Sequence, residues 1–343
     1  MKRFFSFVIL FSITLTGCGW LPVSAQAEKS TAGSGGVLLF GIGMHIEPQG
    51  ATHQGMRGSK GNYGDPAYFQ RGVEEIQAVA RIIAEHGGRM TVQAQSPFTD
   101  AVLVNHSTIL TDLASAGHEI GLHFHEDAHL GKNSSALGAD RWCKVMKEEI
   151  ALIQEASGVL HINYWSGGNL YPHMLEAAEC AGLSVNSDWK NPRTQTTDPV
   201  LIGTHPWRPS GGTDGTDFSQ FAAHDPEGRV IFLPEGLFDR NNFASMRRSA
   251  ETGGDEAYFE YLQKSLLASV SAAESGQVNV FHFTLHPGEF HGNPDHPYAV
   301  IDQFLKEVVD PLVAEGKVQW ATFSEMADAY MAWELNHPGQ DMR

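Results

Sequence analysis

The sequence predicts an α/β protein built as an irregular (β/α) barrel of seven or eight units. Segments typical of buried strands alternate with amphipathic helical segments along most of the chain, which is the pattern of parallel (β/α) folds. No glycine-rich phosphate loop of the G-x-G-x-x-G or Walker type follows a predicted strand. A barrel is therefore favoured over a doubly wound nucleotide-binding sheet.

The predicted elements begin at residue 37. Residues 37–44 form a short apolar run with glycines, which predicts the first strand. Asp65 followed by Pro66 is a typical helix start, and this helix extends to about His86. The later elements share the same alternation: strands at 90–95, 119–125, 162–165, 229–233, 278–285 and 318–321, and helices at 107–116, 140–156, 171–181, 256–273, 300–314 and 324–334.

Composition excludes several classes of protein. The chain has 343 residues, and its 23 Lys and Arg against 40 Asp and Glu give a formal charge of −17. Nucleic acid is excluded as a partner, because binding its phosphates needs basic clusters. Hydrophobic residues at 42% and charged residues at 18% exclude a disordered or fibrous chain. The 17 histidines favour a site built from imidazoles, or a surface that binds metal or protons.

The N-terminus has the features of an export signal. A basic start precedes an apolar run at 4–15, which is too short to span a membrane permanently. The run ends in the letters LTGC at 15–18, which resemble the lipobox of bacterial lipoproteins. This resemblance implies cleavage before Cys18, lipidation of Cys18 and a lipid anchor in a membrane. The alternative is ordinary secretory cleavage near Ala27, which would release the protein.

These signals set the predicted domain boundaries. Residues 1–17 are the signal peptide, 18–36 form a flexible tether rich in Ser, Ala and Gly, and 37–343 form one folded domain. Lipidation would hold that domain in the cell envelope. Beyond the signal only Cys143 and Cys180 remain, and the sequence leaves open whether they form a disulfide.

The candidate site is predicted where the strands end, because barrel enzymes place their chemistry at the carboxyl ends of the strands. Strand side chains alternate, so the polar residues that share a face can be read from their spacing. The strand ends carry histidines and one carboxylate: His45, Glu47, His123, His125, His129, His282 and His286. We expect these side chains to converge at one rim of the barrel.

The strongest metal signal lies in residues 123–129. His123 and His125 alternate onto one face of a strand, and His125 and His129 have the i, i+4 spacing of neighbours on a helical turn. Two imidazoles and one carboxylate leave one tetrahedral position open for water, as in catalytic divalent-metal sites. We therefore predict a divalent metal at this rim, with zinc as the expected ion and two or three of His123, His125 and His129 among its ligands.

The same segment resembles a known family. Residues 117–123, Gly-His-Glu-Ile-Gly-Leu-His, look like the second motif of polysaccharide deacetylases, metal-dependent carbohydrate esterases with a distorted (β/α) barrel. Residues 281–287 resemble the late Leu-His motif of this family, 321–325 its closing strand and helix start, and 165–168 a variant of its fourth-strand motif. The resemblance covers roughly residues 37–334. It implies a hydrolase that removes acetyl groups from a cell-envelope or environmental glycan.

The resemblance implies a role for each site residue. By position, Glu47 would be the carboxylate ligand, His45 the base that activates water, and His286 the acid that protonates the leaving group. The alternative for His45 is a fourth metal ligand, and for His286 a packed polar residue. Trp165 and Trp189 are expected to stack on sugar rings, although core packing is the commoner role of tryptophan.

The chain also departs from the family pattern. Aligned on the motif, the His-x-x-x-His pair of the family falls on His123 and Asp127, so that its second histidine is missing. Aligned on spacing alone, the pair is His125 and His129. Both registers stay open, and His123 could instead support another ligand. Trp165 replaces the arginine that orients the base in the family.

Two other functions stay open at this point. Glu47 and Glu235 could act as the paired carboxylates of a glycoside hydrolase that needs no metal. The first motif of the family usually has two adjacent aspartates, and this chain offers His45 and Glu47 instead. The absence of that pair and of the arginine favours a non-catalytic lipoprotein that binds glycan or metal without turnover. Metal content and acetate release distinguish these three functions.

Overall fold

The computed structural model describes residues 35–46, 63–131, 133–168, 171–187, 189, 196–213, 217–238, 254–288 and 298–343. These residues belong to one compact unit, Ser34–Arg343. The predicted signal peptide with Cys18, almost all of the tether, and Glu47 lie outside the described residues, as does the side chain of Asp127.

Parallel strands form the centre of the fold. They are β1 Leu38–His45, β2 Met90–Ala94, β3 Glu119–His123, β4 Tyr164–Ser166, β5 Val185–Ser187, β6 Ile231–Leu233, β7 Asn279–Leu285 and β8 Val318–Trp320. Their spatial order is β6-β5-β4-β3-β2-β1-β7, and β8 pairs with the start of β1. The ring is nearly closed, and the His282 Nε2 atom of β7 reaches Leu233 O of β6 at 3.2 Å. The predicted (β/α) barrel is confirmed.

Helices alternate with these strands. They are α1 Pro66–Glu85, α2 Phe98–Val104, α3 Ile109–Ser115, α4 Glu126–Leu130, α5 Ala139–Ser157, α6 Met174–Ala181, α7 Ser219–Ala222, α8 Gly254–Ala272, α9 Ala299–Phe304, α10 Asp310–Ala314 and α11 Phe323–Glu334; a π-helical turn, Leu305–Val309, joins α9 to α10. As predicted, α1 begins after Asp65, whose side chain accepts hydrogen bonds from Ala67 N and Tyr68 N. Among the described helices, none is long and apolar enough to cross a bilayer.

The two faces of β1 pack against different cores. Phe40 faces the helices, where its ring lies 6.3 Å from that of Phe304 of α9. Gly41 and Gly43 face the barrel interior, where a Cβ at Gly43 would lie 3.1 Å from the Phe323 ring of α11. Glycine is needed there because α11 fills this end of the barrel. Polar side chains of the interior are therefore left at the opposite, carboxyl rim.

Two residues of the motif-like segment stabilise the amino end of the barrel. His118 Nδ1 accepts a hydrogen bond from Met90 N at 3.0 Å. Glu119 accepts hydrogen bonds from Thr91 Oγ1 at 2.7 Å and from the backbone and hydroxyl of Ser324, where α11 begins. Burial raises the pKa of Glu119, and these hydrogen bonds oppose that shift. Of this segment, only His123 reaches the carboxyl rim.

A disulfide joins the two cysteines that follow the predicted signal. Cys143 of α5 and Cys180 of α6 are bonded, which settles the pairing that the sequence left open. The bond links two neighbouring helices on the outside of the barrel.

His86, directly after α1, connects that helix to α9 and α10. Its Nδ1 lies 2.8 Å from Asp310 Oδ2 and its Nε2 lies 3.0 Å from Asp302 Oδ1. Two acceptors facing both ring nitrogens favour the doubly protonated ring. Burial lowers the pKa of His86, but the hydrogen bonds and charges of the two carboxylates outweigh it, and the net pKa is raised.

This cluster should make stability depend on pH. A raised pKa contributes stability that is complete below the unfolded value of 6.5 and is lost as the pH rises through the folded value. We expect His86→Ala to lower the free energy of unfolding by about 1 kcal/mol at acidic pH, since both carboxylates are partly exposed and screened by water. Urea denaturation at about pH 5.5 and about pH 9 measures this, with His173→Ala as an exposed control. A loss that is equal at both pH values would contradict the assignment.

Candidate functional site

Four buried polar side chains from neighbouring strands meet at the carboxyl rim. His45 ends β1 beside Gln93 of β2, and His123 ends β3 beside Ser166 of β4, as the strand register requires. Gln93 and Ser166 are fully buried, and His45 and His123 are 3% and 5% exposed. Buried polar groups are costly without hydrogen bonds, so their partners define the site.

The Ser166 hydroxyl joins these side chains. It donates to Gln93 Oε1 at 2.6 Å, which uses its only proton. The Ser166 oxygen then accepts hydrogen bonds from Nδ1–H of His123 at 2.7 Å and from Nε2–H of His45 at 3.1 Å. In neutral rings, the lone pairs therefore lie on Nε2 of His123 and on Nδ1 of His45. The serine fixes both tautomers.

Four imidazoles form a row at this rim. The rings of His45 and His123 are stacked, with centroids 3.9 Å apart and planes 21° apart. His286 meets His45 edge-on at 5.2 Å, and His125 meets His123 edge-on at 4.8 Å. The structure thus brings together four of the histidines that the sequence places at the strand ends. We call His286, His45, His123 and His125 the histidine row.

The His129 side chain contacts residues outside the histidine row. Its ring stacks on Phe124 at 5.0 Å, and its Nε2 lies 3.0 Å from Gln95 Oε1. Its Nδ1 lies 3.4 Å from Glu149 Oε1 of α5. Burial, followed by the charges of neighbouring histidines, lowers the pKa of His129 to about 3, so the ring is neutral. Burial also raises the pKa of Glu149, so desolvation favours the neutral form of both partners in this contact.

The remaining candidates lie in packed positions. His282 is fully buried, with its ring 4.5 Å from that of Phe323. Trp165 is fully buried, and Trp189 is 1% exposed and packs edge-on against Phe218 at 4.7 Å. Glu235 is buried just beyond β6. Sugar stacking by the two tryptophans stays a prediction.

Ring orientation tests the predicted metal site. A metal ion about 2.0–2.1 Å from an imidazole nitrogen lies along its lone pair, in the plane of the ring. The stacked rings of His45 and His123 cannot both point at one ion, whereas the perpendicular rings of His123 and His125 can. Within the described ranges, no group of three or more His, Cys, Asp or Glu side chains could hold a metal ion. The ring angle is compatible with His123 and His125 as two ligands, and the predicted carboxylate ligand, Glu47, lies outside those ranges.

The chain is similar to solved structures in its fold. The sequence matches no family model and no curated protein. A structure from Mycobacterium smegmatis, provisionally classed as a polysaccharide deacetylase, superposes with a TM-score of 0.57 at 17% identity, over 88% of this chain and 92% of that one. A structure from Parabacteroides distasonis, provisionally classed as a glycoside hydrolase/deacetylase, gives 0.57 at 11% identity, over 88% and 73%.

PuuE allantoinase is similar to the same extent. Its TM-score is 0.55 at 16% identity, over 88% of this chain and 92% of that one. Enzymes with different names therefore share this barrel, and at such identities the likeness establishes the fold and not the reaction. By these likenesses, the chain has the irregular (β/α) barrel fold seen in polysaccharide deacetylases.

Proposed function

We propose that this protein is a hydrolase that removes acetyl groups from a cell-envelope or environmental glycan. The observation that carries the proposal is the histidine row, held by Ser166 and Gln93 at the carboxyl rim of the barrel. Barrel enzymes bind substrate at this rim. The motif resemblance and the deacetylase-like fold support acetyl transfer to water as the reaction.

The proposal gives His45 and His286 distinct roles. Because Nε2–H of His45 donates to Ser166, the Nδ1 atom of His45 is the nitrogen that accepts a proton from the attacking water. The Ser166 oxygen then faces the positive ring that forms and stabilises it. His286, edge-on to His45 at 5.2 Å, is placed to return a proton to the leaving amine or alkoxide.

A divalent metal, with zinc as the expected ion, is part of the proposal. Glu47, His123 and His125 would hold it, and when bound it would polarise the acetyl carbonyl and make water more acidic. His123 donates Nδ1–H to Ser166, which leaves Nε2 as the nitrogen for ligation. Such a hydrogen bond is the usual support of a metal-bound histidine.

Elemental analysis and acetate release test the proposal together. We expect the purified mature protein to carry about one divalent metal per chain, bound without sulfur. It should release acetate from at least one of a panel of N- and O-acetylated glycans. A chelator should abolish the release, and zinc should restore it.

Glycan binding without acetate release would favour the non-catalytic lipoprotein, and new reducing ends would favour a glycoside hydrolase. The panel also includes allantoin, because one of the similar structures is an allantoinase.

The cellular location is a further part of the proposal. Lipidation of Cys18 would anchor the protein to a membrane of the cell envelope. The disulfide between Cys143 and Cys180 supports export, because disulfides persist in oxidising compartments. We expect Cys18→Ser to move the protein from the membrane fraction to an unprocessed or soluble form, measured by fractionation and intact mass. An unchanged membrane fraction and mass would favour another anchor or cleavage near Ala27.

A further inference from the structure

A cavity of about 280 Å³ lies between α1 and the residues that follow β7. One wall comes from α1 and the turn before it, and the other from the residues that follow β7. The residues that line it include Tyr63, Tyr68, Arg71, Glu75, Pro287 and Gly288. Pro287 is the residue after His286, so the cavity begins one residue from the proposed acid.

Glu75 ties the two walls of the cavity together. Its Oε2 atom accepts hydrogen bonds from Gly288 N and from the Tyr298 hydroxyl, the latter at 3.1 Å. The Tyr298 hydroxyl also lies 3.3 Å from the carbonyl oxygen of His286. This wall is therefore anchored to the backbone that carries His286. The second carboxylate oxygen of Glu75, Oε1, has no hydrogen bond to any described residue and can accept one from a ligand.

Arg71 lies one turn before Glu75, so both side chains occupy the same face of α1. Its guanidinium carbon is 5.7 Å from the centroid of the Tyr68 ring. Across the part of the chain that the structure describes, this exposed guanidinium forms no ion pair. The Tyr63 and Tyr68 rings are 5.1 Å apart and tilted by 55°. Tyr63 is only 1% exposed, so Tyr68 provides the aromatic surface of the cavity.

We infer that this cavity binds an uncharged sugar ring next to the acetylated sugar, an inference that rests on the proposed function. Adjacent sugar hydroxyls both donate and accept, which matches the donors of Arg71 and the acceptor oxygen of Glu75. The aromatic surface of Tyr68 suits an apolar face of a pyranose. The volume lies just below the usual range of ~300–1,000 Å³ for small-molecule sites, so it suits one ring. The two charges cancel locally and the chain carries −17, which disfavours an acidic sugar.

The test compares substrates that reach the cavity with substrates that do not. Arg71→Met removes the donors and keeps the aliphatic stem. We expect kcat/KM for acetylated trisaccharides to fall about 10–100-fold through KM, the usual loss for a hydrogen bond to a charged group. Release from the acetylated monosaccharide should be unchanged. Arg81→Met is the matched control, since Arg81 is exposed on the same helix.

Calorimetry separates this inference from the proposed function. Cellotriose carries no acetyl group, so its binding does not depend on deacetylation, and Arg71→Met should weaken that binding also. If no glycan releases acetate but the binding still weakens, the proposed function fails and the sugar site stands. Equal effects on mono- and trisaccharides, or no effect on either, overturn the site. No binding of cellotriose, or tighter binding of trigalacturonate, overturns an uncharged sugar as the ligand.

Discussion

Replacement of His45 by alanine should lower the rate of acetate release by about 10²–10⁴-fold while the metal stays bound. The stacked rings of His45 and His123 cannot share one ion, so removal of His45 takes away the proton acceptor and leaves the ligands. Elemental analysis and kcat, measured on the same preparation, check both halves of this expectation. The loss should appear in kcat, because a base acts on the transition state.

Ser166→Ala is the matched variant for this experiment. It keeps both rings and removes the hydroxyl that fixes the tautomers of His45 and His123. We therefore expect a smaller loss of kcat than from His45→Ala, together with weaker metal binding, so kcat is compared at saturating zinc. If His45→Ala empties the metal site, His45 is a ligand and the base lies elsewhere. If it changes neither metal content nor rate, the assignment of the first-strand residues is wrong.

Most of the fold could be predicted because long elements repeat their pattern. The sequence predicts a strand over 278–285, and β7 is Asn279–Leu285. It predicts a helix over 140–156, and α5 is Ala139–Ser157. The missed elements are short. β5 has three residues and α2 has seven, too few for a periodicity of two or of 3.6 to stand out.

The site could be predicted in its position but not in its contacts. Parallel strands end at the same rim, so the meeting of His45, His123 and His286 follows from topology. The shared hydrogen-bond partner does not, because Ser166 lies 43 residues from His123 and 121 from His45. The sequence signal for Ser166 is a polar residue at an interior position of the fourth strand.

His129 shows a second limit of sequence reasoning. The i, i+4 spacing places His125 and His129 on one face of a helical turn, but it does not say which way that face looks. In α4 the direction is set by packing, since the His129 ring lies on Phe124 and its nitrogens face Gln95 and Glu149. Spacing alone therefore cannot choose between the two ligand registers.

The largest effect on metal binding should come from His123 and not from His129. We expect His123→Ala to lose both metal and activity, because it removes the imidazole whose Nε2 lone pair is set by Ser166. His129→Ala should keep the metal, since both nitrogens of His129 face other partners. It should instead lower the free energy of unfolding by about 1–3 kcal/mol, because Gln95 and Glu149 lose a buried partner.

Zinc titration and urea denaturation of the two variants, with His173→Ala as the exposed control, measure these effects separately. Loss of metal from His129→Ala without loss of stability would mean that His129 turns toward the ion when it binds, and that the i, i+4 pair is the ligand set. If His123→Ala loses the metal and His129→Ala keeps it, the ligand that accompanies His123 is either His125 or Asp127. His125→Ala then decides it, because the ring perpendicular to His123 is the one whose lone pair can converge on the same ion.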